Sequence, residues 1–259
     1  MCTLSWFFGK NSTHVFFNRD EQKSRAIAEP PHVVSINQVD RLMPIDPVGG
    51  GSWLAVNEYG WSFALLNFYQ GRFPKGKLIS RGDIIRGVSE LNSFVDIVKF
   101  FDGLTLTKYA PFSLVCFAPC GISASDIPPH QNESTQAATM LRWTGSVLQV
   151  VAQQSPLFSS AVMFDDVVLS RTKQAERYIA GLIDERERID KHIALHCSHE
   201  PEASAQSICM HRDDAHTVSF SHIEVARDKV IFSYVNGSPC SVKTPTKHRL
   251  LRKECINLL

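Results

Sequence analysis

The thiol at the second position of Met1-Cys2-Thr3 is the first side chain in this sequence with the means to do chemistry. Loss of the initiator methionine, which a small second residue permits, leaves Cys2 as the N-terminus, with a nucleophile and a base on one residue. Its free α-amine has a reference pKa of about 7.7–8.0, so it can take the thiol proton without a separate histidine. A hairpin brings Arg19 and Asp20 back beside Cys2, setting a fixed cation and a carboxylate where they can orient an amine and hold a thiolate. Asn67 interrupts an otherwise apolar strand end, where a buried side-chain amide needs partners. It reads either as a structural asparagine closing a loop or as an NH2 donor to a developing oxyanion. The plainer reading of the N-terminal group is a cysteine without a supporting microenvironment, next to a solvated polar turn.

These side chains need elements to position them. Leu4 to Phe8 reads as a strand, Gly9-Lys10-Asn11-Ser12 as a turn, and His14 to Phe17 as the returning strand ending in Asn18-Arg19-Asp20-Glu21. Ser24 to Pro47 is rich in proline and polar residues and predicts a long connection with a short strand near Val33-Val34-Ser35. From Gly49 to Phe68, two apolar runs flank Asn57-Glu58-Tyr59-Gly60 and predict a hairpin of buried strands carrying Asn67. Ser89 is placed to cap a helix over Glu90 to Phe101, and Tyr109 to Phe117 reads as a strand. The polar loop from Pro119 to Glu133 suits a lid or a simple insertion. Between Ala137 and Gln154, apolar residues recur at helical spacing and predict a core-packed helix. Ala161 to Leu169 reads as a strand, and Gln174 to His196 as one long amphipathic helix whose face from Asp184 to Lys191 is solvated. His216 to Ile223 and Lys229 to Tyr234 form a closing hairpin, followed by an Asn236-Gly237 turn.

Composition narrows the function. The 259 residues are 44% hydrophobic, ample for a core, and a formal net charge of +1 gives no electrostatic argument for nucleic acid or an anionic membrane. Seven cysteines without framework spacing predict reduced thiols and a cytoplasmic protein, and no apolar run reaches the roughly 18 residues of a spanning helix. His192, His196, His199, His211 and His216, with Cys197 and Cys209, are numerous enough to suggest zinc or haem iron, and His192 and His196 share a helix face. No Cys-x-x-Cys or His-Glu-x-x-His spacing occurs, so neither a metal site nor a cofactor is expected.

Met1-Cys2-Thr3, Asn18-Arg19-Asp20-Glu21, Gly50-Gly51-Ser52-Trp53-Leu54-Ala55-Val56-Asn57, Leu66-Asn67-Phe68 and Ser80-Arg81-Gly82 occur in this order. Together they resemble the NRDE family, whose animal members are called transport and Golgi organisation protein 2. More distantly they are similar to the choloylglycine hydrolase and penicillin acylase branch of the N-terminal nucleophile hydrolases. The resemblance implies an α+β fold, a four-layer αββα sandwich over a single domain spanning residues 1–259. It implies Cys2 as nucleophile, Arg19 with Asp20 as the basic and acidic pair, and Asn67 at the oxyanion position. In the hydrolase branch the acid lies three residues beyond the arginine, so the part falls to Asp20 or Glu21. Arg171 stands where the family carries an asparagine, and reads as a bidentate clamp on a substrate carboxylate or phosphate, or as a surface residue. His216 falls in an Asp214-Ala215-His216 segment that replaces a Gly-Thr-Arg turn, and can restore part of the missing positive charge for substrate binding. The implied activity is an amidohydrolase or acyltransferase acting on an amide or thioester. The alternatives are a non-catalytic carrier of haem or lipid/acyl-CoA, and an interaction protein on a retired catalytic fold. Partners are therefore a small-molecule amide, acyl or haem ligand.

Overall fold

The computed structural model describes residues 1–119, 138–241 and 244–253. Strand β1 (Cys2–Phe8) turns back through Gly9 and Ser12 into β2 (Thr13–Gln22), with Cys2 opposite Arg19 and Thr3 opposite Asn18. Alternation along this hairpin sends Leu4, Trp6, Val15 and Phe17 to one face and Phe7 and Phe16 to the other. Both faces are apolar because both are covered. The antiparallel sheet that contains them runs β10 (Leu157–Ser159), β1, β2, β11 (Ala215–Val225), β12 (Lys229–Asn236) and β13 (Thr246–Leu251). A second antiparallel sheet runs in chain order through β3 (Glu29–Ile36), β4 (Val39–Ile45), β5 (Leu54–Asn57), β6 (Ser62–Asn67), β7 (Phe112–Phe117), β8 (Ala138–Trp143) and β9 (Leu148–Gln153).

The two sheets share a core in which Leu4, Trp6 and Phe17 meet Leu54, Val56, Leu66 and Phe117. On the far side of the second sheet, Phe63, Leu65 and Leu114 pack with α1 (Gly82–Val88) and α2 (Phe94–Asp102) through Ile85, Val88, Ile97 and Phe101. On the far side of the first, α3 (Phe164–Ile179) and α4 (Glu185–Cys197) cover Phe7, Phe16, Phe158 and Phe220. The result is the expected α+β, four-layer αββα sandwich. No helix among the described residues is long and apolar enough to cross a membrane.

Several expectations are corrected. Residues 138–153 form the hairpin β8–β9, not a helix: Gly145 at φ +90° supports the turn, and β8 lies between β7 and β9 with both faces buried, so its side chains show no simple alternation. The segment from Ala161 to Leu169 is not a strand. It enters α3, whose first turn holds Asp165 and Asp166 beside the unpaired N–H groups. The single helix from Gln174 to His196 is two, because Gly181 takes a left-handed φ of +73° and Asp184 caps a new start by accepting from the Glu187 N–H at 2.8 Å. Ser93, not Ser89, caps α2, and Ser89 ends α1. The connection from Ser24 to Pro47 contains the β3–β4 hairpin, turned by Asn37 and Gln38 at positive φ. The face from Asp184 to Lys191 is only partly solvated: Glu185 accepts from Ser12 and His14, and Arg188 lies over the Phe7 ring at 4.0 Å. The loop from Pro119 to Glu133 lies, after Pro119, outside the described residues.

Candidate active site

Cys2 begins β1 between β10 and β2, opposite Ser159 on one side and Arg19 on the other. The strand period places Cys2, Arg19 and Glu21 on the face toward the second sheet, and Asn18 and Asp20 on the face toward α3 and α4. Arg19 stacks over the Trp53 ring at 4.1 Å and reaches Glu21 at 3.4 Å and Asp46 at 3.9 Å. Arg25 closes the group, donating to both oxygens of Asp46 at 3.3 and 2.5 Å. Burial opposes ionisation of Asp46, but the Arg25 hydrogen bond and the Arg25 and Arg19 charges outweigh it and hold its carboxyl below the usual range.

These residues line a cavity of about 410 Å³ with Cys2, Asp20, Asn67 and Arg81. Asn67 enters from the end of β6 and donates from Nδ2 to the Tyr69 hydroxyl at 2.8 Å. Arg81 precedes α1 and donates to the Pro111 carbonyl at 2.9 Å, and burial lowers its pKa. What brings Arg81 here is a contact between glycines. A Cβ on Gly51 would lie 2.4 Å from the Gly82 carbonyl carbon, and the Ser52 N–H donates to the Gly82 carbonyl at 3.2 Å. Only glycines let the loop before β5 and the start of α1 meet backbone to backbone.

Asp20 is held from behind. Its Oδ1 accepts from the Thr217 hydroxyl at 2.7 Å, and its Oδ2 pairs with Arg171 at 3.4 Å. Arg171, on α3, also donates to Thr3 at 2.8 Å and to the Ala205 carbonyl at 3.1 Å, and its side chain is fully buried. It is not among the residues lining the Cys2 cavity. His216 lines an adjoining cavity of about 320 Å³ that shares Arg19, Glu21 and Arg25 with the first. Cys2 itself is half-buried. Burial raises its thiol pKa most, Asp20 adds to this, and the N-terminal ammonium and Arg19 pull the other way. The Asp20 N–H donates to the Met1 carbonyl at 3.1 Å, and the Met1 ammonium lies 3.5 Å from the Asp20 carbonyl.

Residues 1–237 match the sequence profile described as Transport and Golgi organisation 2. The chain belongs to that family. No curated protein sequence matches at a significant level. Among solved structures, the chain is similar to penicillin V acylase from Agrobacterium tumefaciens, with a TM-score of 0.58 at 8% identity over 97% of this chain and 86% of that one. A mutant of conjugated bile acid hydrolase from Clostridium perfringens gives 0.51 at 13% identity, covering 98% and 97%. The N-acylethanolamine-hydrolyzing acid amidase ortholog of Caenorhabditis elegans gives 0.52 at 12% identity, covering 86% and 92%. At these identities the likeness shows the fold, that of the N-terminal nucleophile hydrolases.

Arg25, Asp46, Tyr69 and Arg81 receive no role from sequence reasoning. Arg81 carries a signal, since Ser80-Arg81-Gly82 follows the glycine block that packs against it. Asp46 follows β4 in a proline-rich segment that hides that strand, and nothing local marks it as a partner of Arg19.

Proposed function

We propose that this member of the Transport and Golgi organisation 2 family is an N-terminal cysteine amidohydrolase or acyltransferase acting on a small amide or thioester. The observation that carries the reading is the convergence of Cys2, Arg19, Glu21, Asn67 and Arg81 on one cavity of about 410 Å³. With Cys2 as the N-terminus, its amine takes the thiol proton and the thiolate attacks the substrate carbonyl. The oxyanion forms against Asn67, whose Nδ2 keeps a second hydrogen beyond the one given to Tyr69. The Cys2 ammonium then returns the proton to the leaving amine or thiol, leaving an acyl thioester on Cys2. Water releases the acid, or an acceptor nucleophile takes the acyl group.

Glu21 shares the cavity face with Cys2 and Arg19 and is the carboxylate placed to meet a substrate. Asp20 positions the strand from the opposite face, with Arg171 and Thr217 holding it. Arg171 is therefore a positioning residue rather than a clamp. His216 meets only a substrate that extends past Arg19 and Glu21 into the adjoining cavity. Three arginines and three acidic residues around the first cavity suit a polar amide, and the structural neighbours, by name an acylase, a hydrolase and an amidase, support the amide class. The described cysteines are free, in keeping with a reducing compartment such as the cytoplasm.

A second reading, a carrier of an acyl or haem ligand, is favoured by a separate cavity of about 610 Å³ lined by Ile189, Ile193, Phe220, Ile231 and Val235, with Lys247 at hand for a carboxylate. The test is intact mass of protein made with its native start, before and after brief exposure to low-dose iodoacetamide. A mass lacking methionine, with labelling concentrated at Cys2, supports the enzyme and justifies screening amides and thioesters. Retained Met1, with Cys2 labelled no faster than Cys197 and Cys240, sinks it. Dose-dependent thermal stabilisation by acyl-CoA or haem, unchanged in Cys2→Ala, then supports the carrier.

A further inference from the structure

The histidines and cysteines of the second half do not act as one group. His192 and His196 point inward, sharing the Ser5 hydroxyl at 2.8 and 2.9 Å. His199, Cys209 and His211 instead gather with Cys240, more than 28 residues further on, so that one donor atom from each lies within 4.8 Å of every other. We infer that these four residues form a tetrahedral zinc-type metal site, separate from the Cys2 cavity, that staples the segment after α4 to the turn after β12.

The two His211–sulfur distances fit the ion. Zinc bonds of about 2.3 Å to sulfur and about 2.05 Å to nitrogen put the S···N edges of a tetrahedron at about 3.6 Å. Here His211 Nε2 lies 3.6 Å from the Cys209 sulfur and 3.4 Å from the Cys240 sulfur. The His199 and His211 rings meet edge-on at 82°, so both can present a nitrogen to one point rather than stack. The donor set is two thiols and two imidazoles with no carboxylate, which selects zinc and its soft neighbours over calcium or magnesium.

The backbone holds the ligands before any ion arrives. The Cys209 N–H donates to the Ser198 carbonyl at 2.9 Å, and the Ser207 hydroxyl donates to the Cys209 carbonyl at 2.8 Å. On the other arm, the Ser238 hydroxyl donates to the Thr217 carbonyl at 2.6 Å, and the Ser241 N–H closes the Cys240 turn onto Ser238 at 3.0 Å. Cys209 is buried, His211 and Cys240 are half-buried and His199 is exposed, so the ion enters from the His199 side. None of the four lines the Cys2 cavity. The staple nevertheless braces it, because Met210, between two ligands, donates to the Thr217 hydroxyl at 2.8 Å, and Thr217 donates to Asp20.

The test is metal content of the full chain, made without a polyhistidine tag, by elemental mass spectrometry. The comparison is the His199→Ala/Cys240→Ser double variant, which leaves the buried Cys209 in place. The expected result is about one zinc per chain in the parent, at least a tenfold loss in the double variant, and thiolate-to-metal charge-transfer absorption after cobalt exchange. Chelation should lower the melting temperature of the parent reversibly and leave that of the variant unmoved. The proposal is overturned if the parent holds no zinc even after incubation with stoichiometric zinc, or if the variant holds as much. A Cys209–Cys240 disulfide in protein purified anaerobically also overturns it. Cys2 labelling is read on the same samples, so failure of the metal site and failure of the nucleophile are distinguished.

Discussion

Asp20 and Arg19 are neighbours in sequence that face opposite layers. One carries its charge into the cavity, and the other spends it on Arg171 and Thr217 inside the protein. Replacing Asp20 by asparagine leaves the buried Arg171 guanidinium without its counter-charge, so Asp20→Asn should cost about 3–5 kcal/mol in chemical denaturation. Adding Arg171→Met should recover much of that loss, since it removes the stranded charge. Asn67 is different: it is half-buried with one bond to Tyr69, so Asn67→Ala should leave melting nearly unchanged. If it holds the oxyanion, kcat on a cleaved amide should fall by about 10²–10³ with Cys2 labelling intact. The pairing of Cys2 with Arg19 was legible because a short hairpin fixes its own register. The setting of Arg171 was not, since a helical residue's partner across a layer depends on how the helix docks. The metal ligands escaped for a related reason: their spacing matches no short motif, and Cys240 joins them only when β12 delivers it.

Elements were legible where a single periodicity dominated. The β1–β2 and β5–β6 hairpins show strong apolar runs broken by turn residues, and both form as the patterns predict. The pattern failed in β8, whose Ala138, Met140 and Leu141 are buried regardless of face, so apolar spacing there carries no information on period. It failed again in α3, where Val167 and Leu169 read like a strand although the acidic first turn favours a helix. Two joints between elements can be tested. Gly51→Ala drives a Cβ into the Gly82 backbone, and should cost about 1–3 kcal/mol while lowering activity by displacing Arg81. Ser93 caps α2 by accepting the Asp96 N–H at 3.1 Å, and Ser93→Ala should cost about 1 kcal/mol in thermal unfolding with activity unchanged.

The whole molecule carries a buried histidine layer between the first sheet and α4. His14, His192, His196 and His222 alternate there with Phe7 and Phe16, and His222 stacks on Phe16 at 4.3 Å. Burial is the main cause that lowers the pKa of all four, taking His192 down to about 3. Arg188 adds to the effect at His14 and His192, and Glu185 and Glu224 oppose it at His14. The unfolded chain therefore binds protons that the folded chain refuses, and stability present above about pH 6.5 is lost as pH falls toward 3. Each histidine contributes a slope of up to about 1.4 kcal/mol per pH unit in that window. Denaturation midpoints at pH about 7 and about 5 check this, and His192→Gln should flatten the slope. The four-layer order was legible through the ordered motifs, but this layer was not, because histidine in a strand looks the same whether buried or wet. One feature at the chain's start bears on how the protein is handled. Cys2 sits between two strands, with the residue ahead of it held in place by the Met1 sulfur against the Ser160 hydroxyl at 2.8 Å, so on the proposed mechanism anything fused ahead of Cys2 keeps its nitrogen in an amide. An N-terminal tag then masks the amine proposed as the base, and a preparation carrying one should gain selective Cys2 labelling only when cut back to the thiol.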